Sequence, residues 1–185
     1  MPASSSTGEA FDRWVADHVA VLYRVAYRLL GNGHDAEDVV QDAFRSAWTS
    51  RHLYDRSRSE RAWLLAILRR RVADHWRRRE TREVAAGADL DRPARAEADP
   101  FGDELSATMQ AALDKLPPEL RETLLLVVVG ELTHQEAADL QGIPLGTVLS
   151  RVSRARSRLR GFLLDPAPST NGHALPGHEH SSRHD

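Results

Sequence analysis

Five short or basic side chains near the C-terminal end of the chain have the types and spacing of a nucleic-acid contact: Thr147, Ser150, Arg151, Arg154 and Arg158. At 100° per residue on a helix they gather on one stripe, while Val148, Val152, Ala155 and Leu159 fall on another that would be buried. Arginine bonds phosphate or, bidentately, a guanine edge, and Thr and Ser are short enough to let the backbone approach a groove. This helix, Leu145 to about Leu163, follows a short helix over Thr133 to Gln141 and a tight turn at Gly142-Ile143-Pro144. The sequence therefore predicts a helix-turn-helix whose second helix faces DNA. A solvated Arg-rich helix is the bland alternative, and the adjoining turn disfavours it.

A second basic helix, from about Arg61 to Arg79, carries aromatics among its arginines. Trp63, Ile67, Arg70, Asp74 and Arg77 share one stripe, and Leu64, Leu68, Val72 and His75 form the opposing, core-facing one. Basic residues with aromatic neighbours suit single-stranded DNA, where unpaired bases stack and phosphates pair with arginine. Trp63 fits a buried structural role as well as a stacking platform. His75 reads as a packed or half-exposed residue, not a metal ligand.

Other chemistries find no support. The chain has no cysteine, hence no disulfide and no thiolate metal site. No Gly-rich phosphate loop or nucleophile elbow is present, and His178-Glu179-His180 lacks the His-Glu-x-x-His spacing of a metal hydrolase. His178 and His180 with a third ligand could hold a divalent metal, but their setting, a Pro-, Ser- and Gly-containing tail, reads better as a low-complexity extension. No catalytic residue, cofactor or metal is expected. The longest apolar stretch, Leu124 to Val129, is too short to span a membrane. The polar opening MPASSSTGEAFD lacks the blocks of a signal peptide, so a soluble cytoplasmic protein is expected.

Two helical units must position the basic residues. Periodic apolar residues from Phe11 to Leu29 predict a first helix, stopped by Gly31-Asn32-Gly33. Asp35 would cap the second, with Ala36, Val39, Val40, Ala43, Phe44, Ala47 and Trp48 on its apolar side. Periodicity fails from Thr81 to Asp103 and returns at Leu105, Met109, Ala112, Leu113 and Leu116. Pro117-Pro118 ends that helix, and another runs from near Glu119 to Gly130. The net charge of -2 hides alternating blocks: acidic at 31–42, basic at 61–82, acidic at 83–104 and basic at 151–160. The expected fold is all-α: a disordered N-terminus (1–9), a helical domain (10–80), a flexible acidic linker (81–104), a helix-turn-helix domain (105–164) and a disordered His-rich tail (165–185). Units of this size are marginally stable alone, which points to an interaction protein.

Five segments carry a family resemblance in order: Asp35-Ala36-Glu37-Asp38-Val39-Val40-Gln41-Asp42-Ala43-Phe44, Arg61-Ala62-Trp63-Leu64-Leu65, Asp74-His75-Trp76-Arg77-Arg78-Arg79, Leu116-Pro117-Pro118-Glu119 and Gly142-Ile143-Pro144-Leu145-Gly146-Thr147-Val148. Over about residues 10 to 163 the chain resembles the extracytoplasmic-function (ECF) sigma factors of bacterial RNA polymerase, in their two-domain form with regions 2 and 4.

The resemblance implies a role for each charged block. Asp35, Glu37, Asp38, Gln41 and Asp42 would dock on the β′ clamp helices of core RNA polymerase, which also contacts such factors through its β subunit. The loop before Arg61 and the helix that follows would read and hold open the promoter −10 element, through Arg61, Trp63, Arg70, Asp74, Arg77 and Arg78. Thr147, Ser150, Arg151, Arg154 and Arg158 would read the −35 element as duplex, and the acidic linker would thread the polymerase channels. Many members of the family are held inactive by an anti-sigma factor. The chain departs from the family pattern at Leu149, where a basic or polar residue is common, in the Arg-rich loop before Arg61, and in its tail. The alternative from the residues alone is a stand-alone helix-turn-helix regulator, which would use neither the acidic helix nor the basic aromatic one.

Overall fold

The computed structural model describes residues 3–57, 59–86 and 106–164. These form seven α-helices: α1 (Ala3–Leu30), α2 (Gly33–Ser50), α3 (Glu60–Ala86), α4 (Ser106–Asp114), α5 (Pro118–Val128), α6 (His134–Gln141) and α7 (Leu145–Leu164). A single 3₁₀ turn, Arg51–Leu53, follows α2. No strand occurs among the described residues, as the periodicity predicts.

Local chemistry sets most helix ends. Helix α1 closes at Gly31, whose φ of 71° lies in the left-handed region that glycine enters without a Cβ penalty. The cap of α2 is Asn32 and not Asp35: the extended backbone of Asn32 lets its Oδ1 accept the Asp35 N–H at 3.0 Å, a cap contributing about 1 kcal/mol. Asp35 then sits inside the first turn, where its charge complements the helix dipole. Thr133 caps α6 through a reciprocal capping box with Glu136.

Two helices outrun their expected limits. Helix α1 begins at Ala3, within the segment 1–9 expected to be disordered, and α3 continues to Ala86, six residues into the expected linker. Once a packed stretch has nucleated a helix, propagation needs only residues that do not break it. Thr81 to Ala86, with Arg, Glu and Ala among them, meets that condition up to Gly87. The rest of the linker and the His-rich tail lie outside the described residues.

In the N-terminal unit, Leu22, Val25 and Ala26 of α1, Ala36, Val39, Ala43 and Ala47 of α2, and Leu64, Leu68 and Val72 of α3 close one core. The alanines of α2 let its neighbours approach, and truncating a buried leucine such as Leu68 to alanine would cost about 2–5 kcal/mol. Ile67, expected on the DNA stripe of α3, is instead buried with this core. Helix α3 packs against α1, α2 and α6, so its buried arc is wider than a one-sided amphipathic helix would have.

In the C-terminal unit, Leu113, Leu120, Leu124, Ala137, Ala138, Val148, Val152 and Ala155 form the core around the helix-turn-helix. Gly142 makes the turn with φ 66°, and Pro144 O starts α7 by accepting the N–H groups of Thr147 and Val148 at 2.9 and 3.2 Å.

The two units pack on one another, through α1 with α5 and α3 with α6. On α3, Arg61, Leu65 and Arg69 lie one turn apart on a single stripe facing the C-terminal unit. A Cβ added to Gly130 would come within 2.6 Å of the Leu126 carbonyl oxygen and 2.9 Å of Leu65 Cδ1, and the backbone clash keeps this position for glycine where Leu65 approaches. At the other end of the interface, Arg28 and Gln110 exchange bonds: Arg28 Nη1 donates to Gln110 Oε1 at 3.3 Å, and Gln110 Nε2 donates to Arg28 O at 3.2 Å.

Candidate nucleic-acid and partner surfaces

The outer face of α2 is acidic. Glu37, Asp38 and Gln41 are exposed and Asp42 half-buried, opposite the buried row Ala36, Val40, Ala43 and Ala47. Asp35 does not share that face: its carboxylate turns toward α3 and lies 3.6 Å from His75 Nε2 at the seam between the two helices. Arg45 partly offsets the acidic row, its Nη1 donating to Asp42 at 3.0 Å and its Nη2 to Gln41 at 2.8 Å. Beside this row runs an almost wholly apolar groove of about 560 Å³ between α1 and α2, lined by Phe11, Val15, Val19, Val40, Phe44 and Trp48 and edged by Glu37 and Gln41. Trp48 is exposed, with the Arg51 guanidinium 4.0 Å above its ring. A rim of carboxylates beside an apolar groove fits an amphipathic helix with a basic edge.

Helix α3 divides the residues expected to touch single-stranded DNA. Arg70 and Arg78 are exposed, and Arg77 shares their solvent side while bonding Asp74. Asp74 also accepts from Arg71 Nη1 at 3.1 Å, so it acts as an anion clamp between two arginines of its own helix. Arg61 is bound by the Glu131 carboxylate of the C-terminal unit, and Arg69 Nε donates to Glu122 at 2.6 Å. Glu131 holds a φ of 54° that non-glycine residues rarely adopt.

Trp63 is half-buried, its ring 5.6 Å from that of Trp14 and 5.1 Å from that of Tyr54, within an aromatic cluster that Phe11, Phe44 and Trp48 extend. Edge-to-face contacts of this kind hold a ring in one orientation. The cluster thereby braces the loop between α2 and α3, from which Leu53 projects into solvent. Burial pushes the Tyr54 phenol above its usual range, and the nearby Glu60 and Asp55 add to the effect. It therefore remains a neutral hydroxyl.

On α7 the stripe expected to face DNA is largely open. Ser150, Arg154 and Arg158 are exposed, while Thr147 and Arg151 are half-buried at its margin. Arg154 folds back on the previous turn, its Nε donating to Ser150 O and its Nη2 to Ser150 Oγ, both at 3.2 Å. Among the described residues, no acidic group pairs with an arginine of α7. The solvent face also contains Leu145, Gly146, Leu149 and Ser153.

This arrangement has close counterparts among known proteins. Residues 14–82 match sigma-70 region 2 and residues 106–159 match sigma-70 region 4. The ECF RNA polymerase sigma factor SigW of Bacillus subtilis is 33% identical over 156 residues, covering 78% of this chain and 83% of that protein. The chain belongs to the ECF sigma factors. The corresponding factor SigE of Mycolicibacterium smegmatis is 37% identical over 166 residues and 87% of this chain. This sigma factor spans only 64% of SigE's length. Among solved structures, the sigma factor RpoE of Bartonella quintana, bound to the anti-sigma factor NepR, superposes with a TM-score of 0.76 at 27% identity. That match covers 86% of this chain and 99% of the other. CnrH bound to the cytosolic domain of CnrY gives 0.64 at 30% identity, covering 90% and 94%.

In this sigma factor, region 2 thus corresponds to α1–α3 and region 4 to α4–α7. Sequence reasoning missed the groove, the partners of Arg61 and Arg69, and Arg45. The groove left a signal: Phe11, Val15 and Val19 widen the apolar stripe of α1 beyond what its core contacts use. Glu122 and Glu131 left none, because they meet α3 across 53 and 70 residues of chain. No described group of His, Asp or Glu is arranged to hold a metal ion, and no described helix is long and apolar enough to cross a membrane.

Proposed function

We propose that this sigma factor binds core RNA polymerase and directs promoter-specific initiation, acting in the cytoplasm. The reading rests above all on the separation of surfaces: one chain carries an acidic, grooved face on α2 and, away from it, two basic helices of different character. The face formed by Glu37, Asp38, Gln41 and Asp42, with the adjacent groove and Asp35 behind it, docks on the basic clamp helices of the β′ subunit. Further contacts go to the β subunit. Opposite charge there favours the encounter and fixes its register.

Promoter DNA is then read twice. Thr147, Ser150, Arg151, Arg154 and Arg158 of α7 contact the −35 element as duplex. Arg61, Trp63, Arg70, Asp74, Arg77 and Arg78 of α3, with the preceding loop, contact the −10 element and keep its strand open. Each flipped base costs a few kcal/mol of stacking, which binding to the exposed strand offsets. The chain itself contributes no catalytic residue, cofactor or metal, and phosphodiester chemistry stays in the polymerase. An anti-sigma factor is the regulatory partner that matches the complexes formed by RpoE and CnrH. A stand-alone regulator would leave the acidic face and groove without a role.

Asp38 is exposed, so Asp38→Arg is expected to keep the wild-type melting temperature and weaken core-polymerase binding at least about tenfold. Arg151→Ala is expected to lower upstream-duplex affinity while polymerase binding is retained. Fluorescence titrations of both variants check this, and unchanged affinities in both would reject these site assignments.

A further inference from the structure

Region 4's recognition helix is divided in a way its arginines alone do not explain. Its first nine residues, Leu145 to Ser153, hold one charge, Arg151, while Arg154, Arg156, Arg158 and Arg160 follow in the next seven. On the solvent side, the N-terminal half presents Leu145, Gly146, Leu149, Ser150 and Ser153. Leu145 and Leu149 are 40% and 48% exposed. They lie one turn apart and form an apolar strip bordered by glycine and serine. A single exposed leucine needs no explanation, but two in successive turns of the N-terminal half lie where a recognition helix meets base edges.

We propose that Leu149 is a specificity residue for the upstream promoter element, reading the C5 methyl of a thymine in the major groove. The proposal rests on the reading of α7 as a duplex reader. Around Leu149 the helix is apolar and small where it would meet the groove floor, with Arg151 half-buried at the margin, and the four arginines that follow lie where it would meet phosphates. Thymine alone among the four bases offers an apolar group at the major-groove edge, and an aliphatic side chain is its natural partner. Gly146, Ser150 and Ser153 around Leu149 are small, so no bulkier side chain holds the leucine away from the bases. The five arginines of α7, with no acid in the helix, favour a polyanion over a protein surface as the occupant of this strip.

The test uses the full chain assembled on core RNA polymerase. A randomised duplex library selected for binding defines the upstream box, and each thymine in it is then replaced by deoxyuridine, which removes only the methyl. One thymine is expected to lose about fourfold in affinity on this replacement, the effect of one buried methyl-sized group. Leu149→Ala should bind the thymine duplex as weakly as wild type binds the uracil one, with no further loss from uracil. Leu149→Arg should move the preference at that base pair toward guanine. Melting temperatures of both variants should match wild type, because the side chain is half exposed. Methyl sensitivity that persists in Leu149→Ala, or its absence at every thymine, would overturn the assignment. A variant that loses polymerase binding with unchanged DNA preference would also overturn it, by placing Leu149 against protein. Selection that enriches no upstream box at all would instead overturn the duplex-reading role of α7.

Discussion

Helices α3 and α7 are both arginine-rich, with eight and five arginines, but the acids around them differ. On α3, Arg61 and Arg69 are held by Glu131 and Glu122 of the other unit, and Arg71 and Arg77 by Asp74. On α7, the nearest bonds are Arg154 to the Ser150 carbonyl and hydroxyl. The positive charge of α7 is open to a polyanion as the molecule stands. That of α3 is partly occupied, and phosphate contact by Arg61 or Arg69 means giving up an ion pair with the C-terminal unit. On the proposed function, the same residue type would serve as a ready duplex contact in one unit and, in the other, as a single-strand contact that competes with ion pairs across the interface.

Salt exposes this contrast most strongly. If all five arginines of α7 meet phosphate, log–log dependence of duplex affinity on salt should have a slope of about −4.5, a loss of about 500-fold between 50 and 200 mM. Binding of a −10 single strand to the free chain should show a shallower slope, because salt also loosens the ion pairs that compete for α3. Equal slopes, measured by fluorescence anisotropy, would break the comparison.

Charge reversal comes next in size. Glu122→Arg combined with Glu131→Arg removes both acids from α3, and two partly exposed pairs at up to about 1 kcal/mol each translate to a gain in single-strand affinity of up to about thirtyfold. The scattering radius should rise as the units separate, while duplex binding through α7 stays unchanged. A smaller effect sharpens the point: Arg154→Ala should lower duplex affinity several-fold and reduce the salt slope by about one. Arg77→Ala should cost the single strand less, since Asp74 already shares that guanidinium.

The helices and the helix-turn-helix were legible in the sequence because their signals are local. Gly31, Gly142, Pro144 and the 3.6-residue periodicity act within a few residues of where they stand. The acidic face of α2 and the open stripe of α7 were legible for the same reason. The misplacement of Ile67 shows where local reasoning ends: a helical wheel assigns one buried face, and α3 has neighbours on two sides. Asn32 displaced Asp35 as the cap because both residue types can cap, and backbone geometry decides between them. The pairing of Arg61 with Glu131 and of Arg69 with Glu122 depends on how two units meet, which no spacing within either one encodes.

The most direct test of the account is transcription itself. Genomic DNA from the organism that encodes this chain is fragmented and transcribed by purified core RNA polymerase, with and without the protein, and RNA 5′ ends are mapped. The account predicts new start sites that share two spaced upstream boxes and vanish with Asp38→Arg. The absence of new starts, with the chain binding duplex DNA on its own, would contradict it.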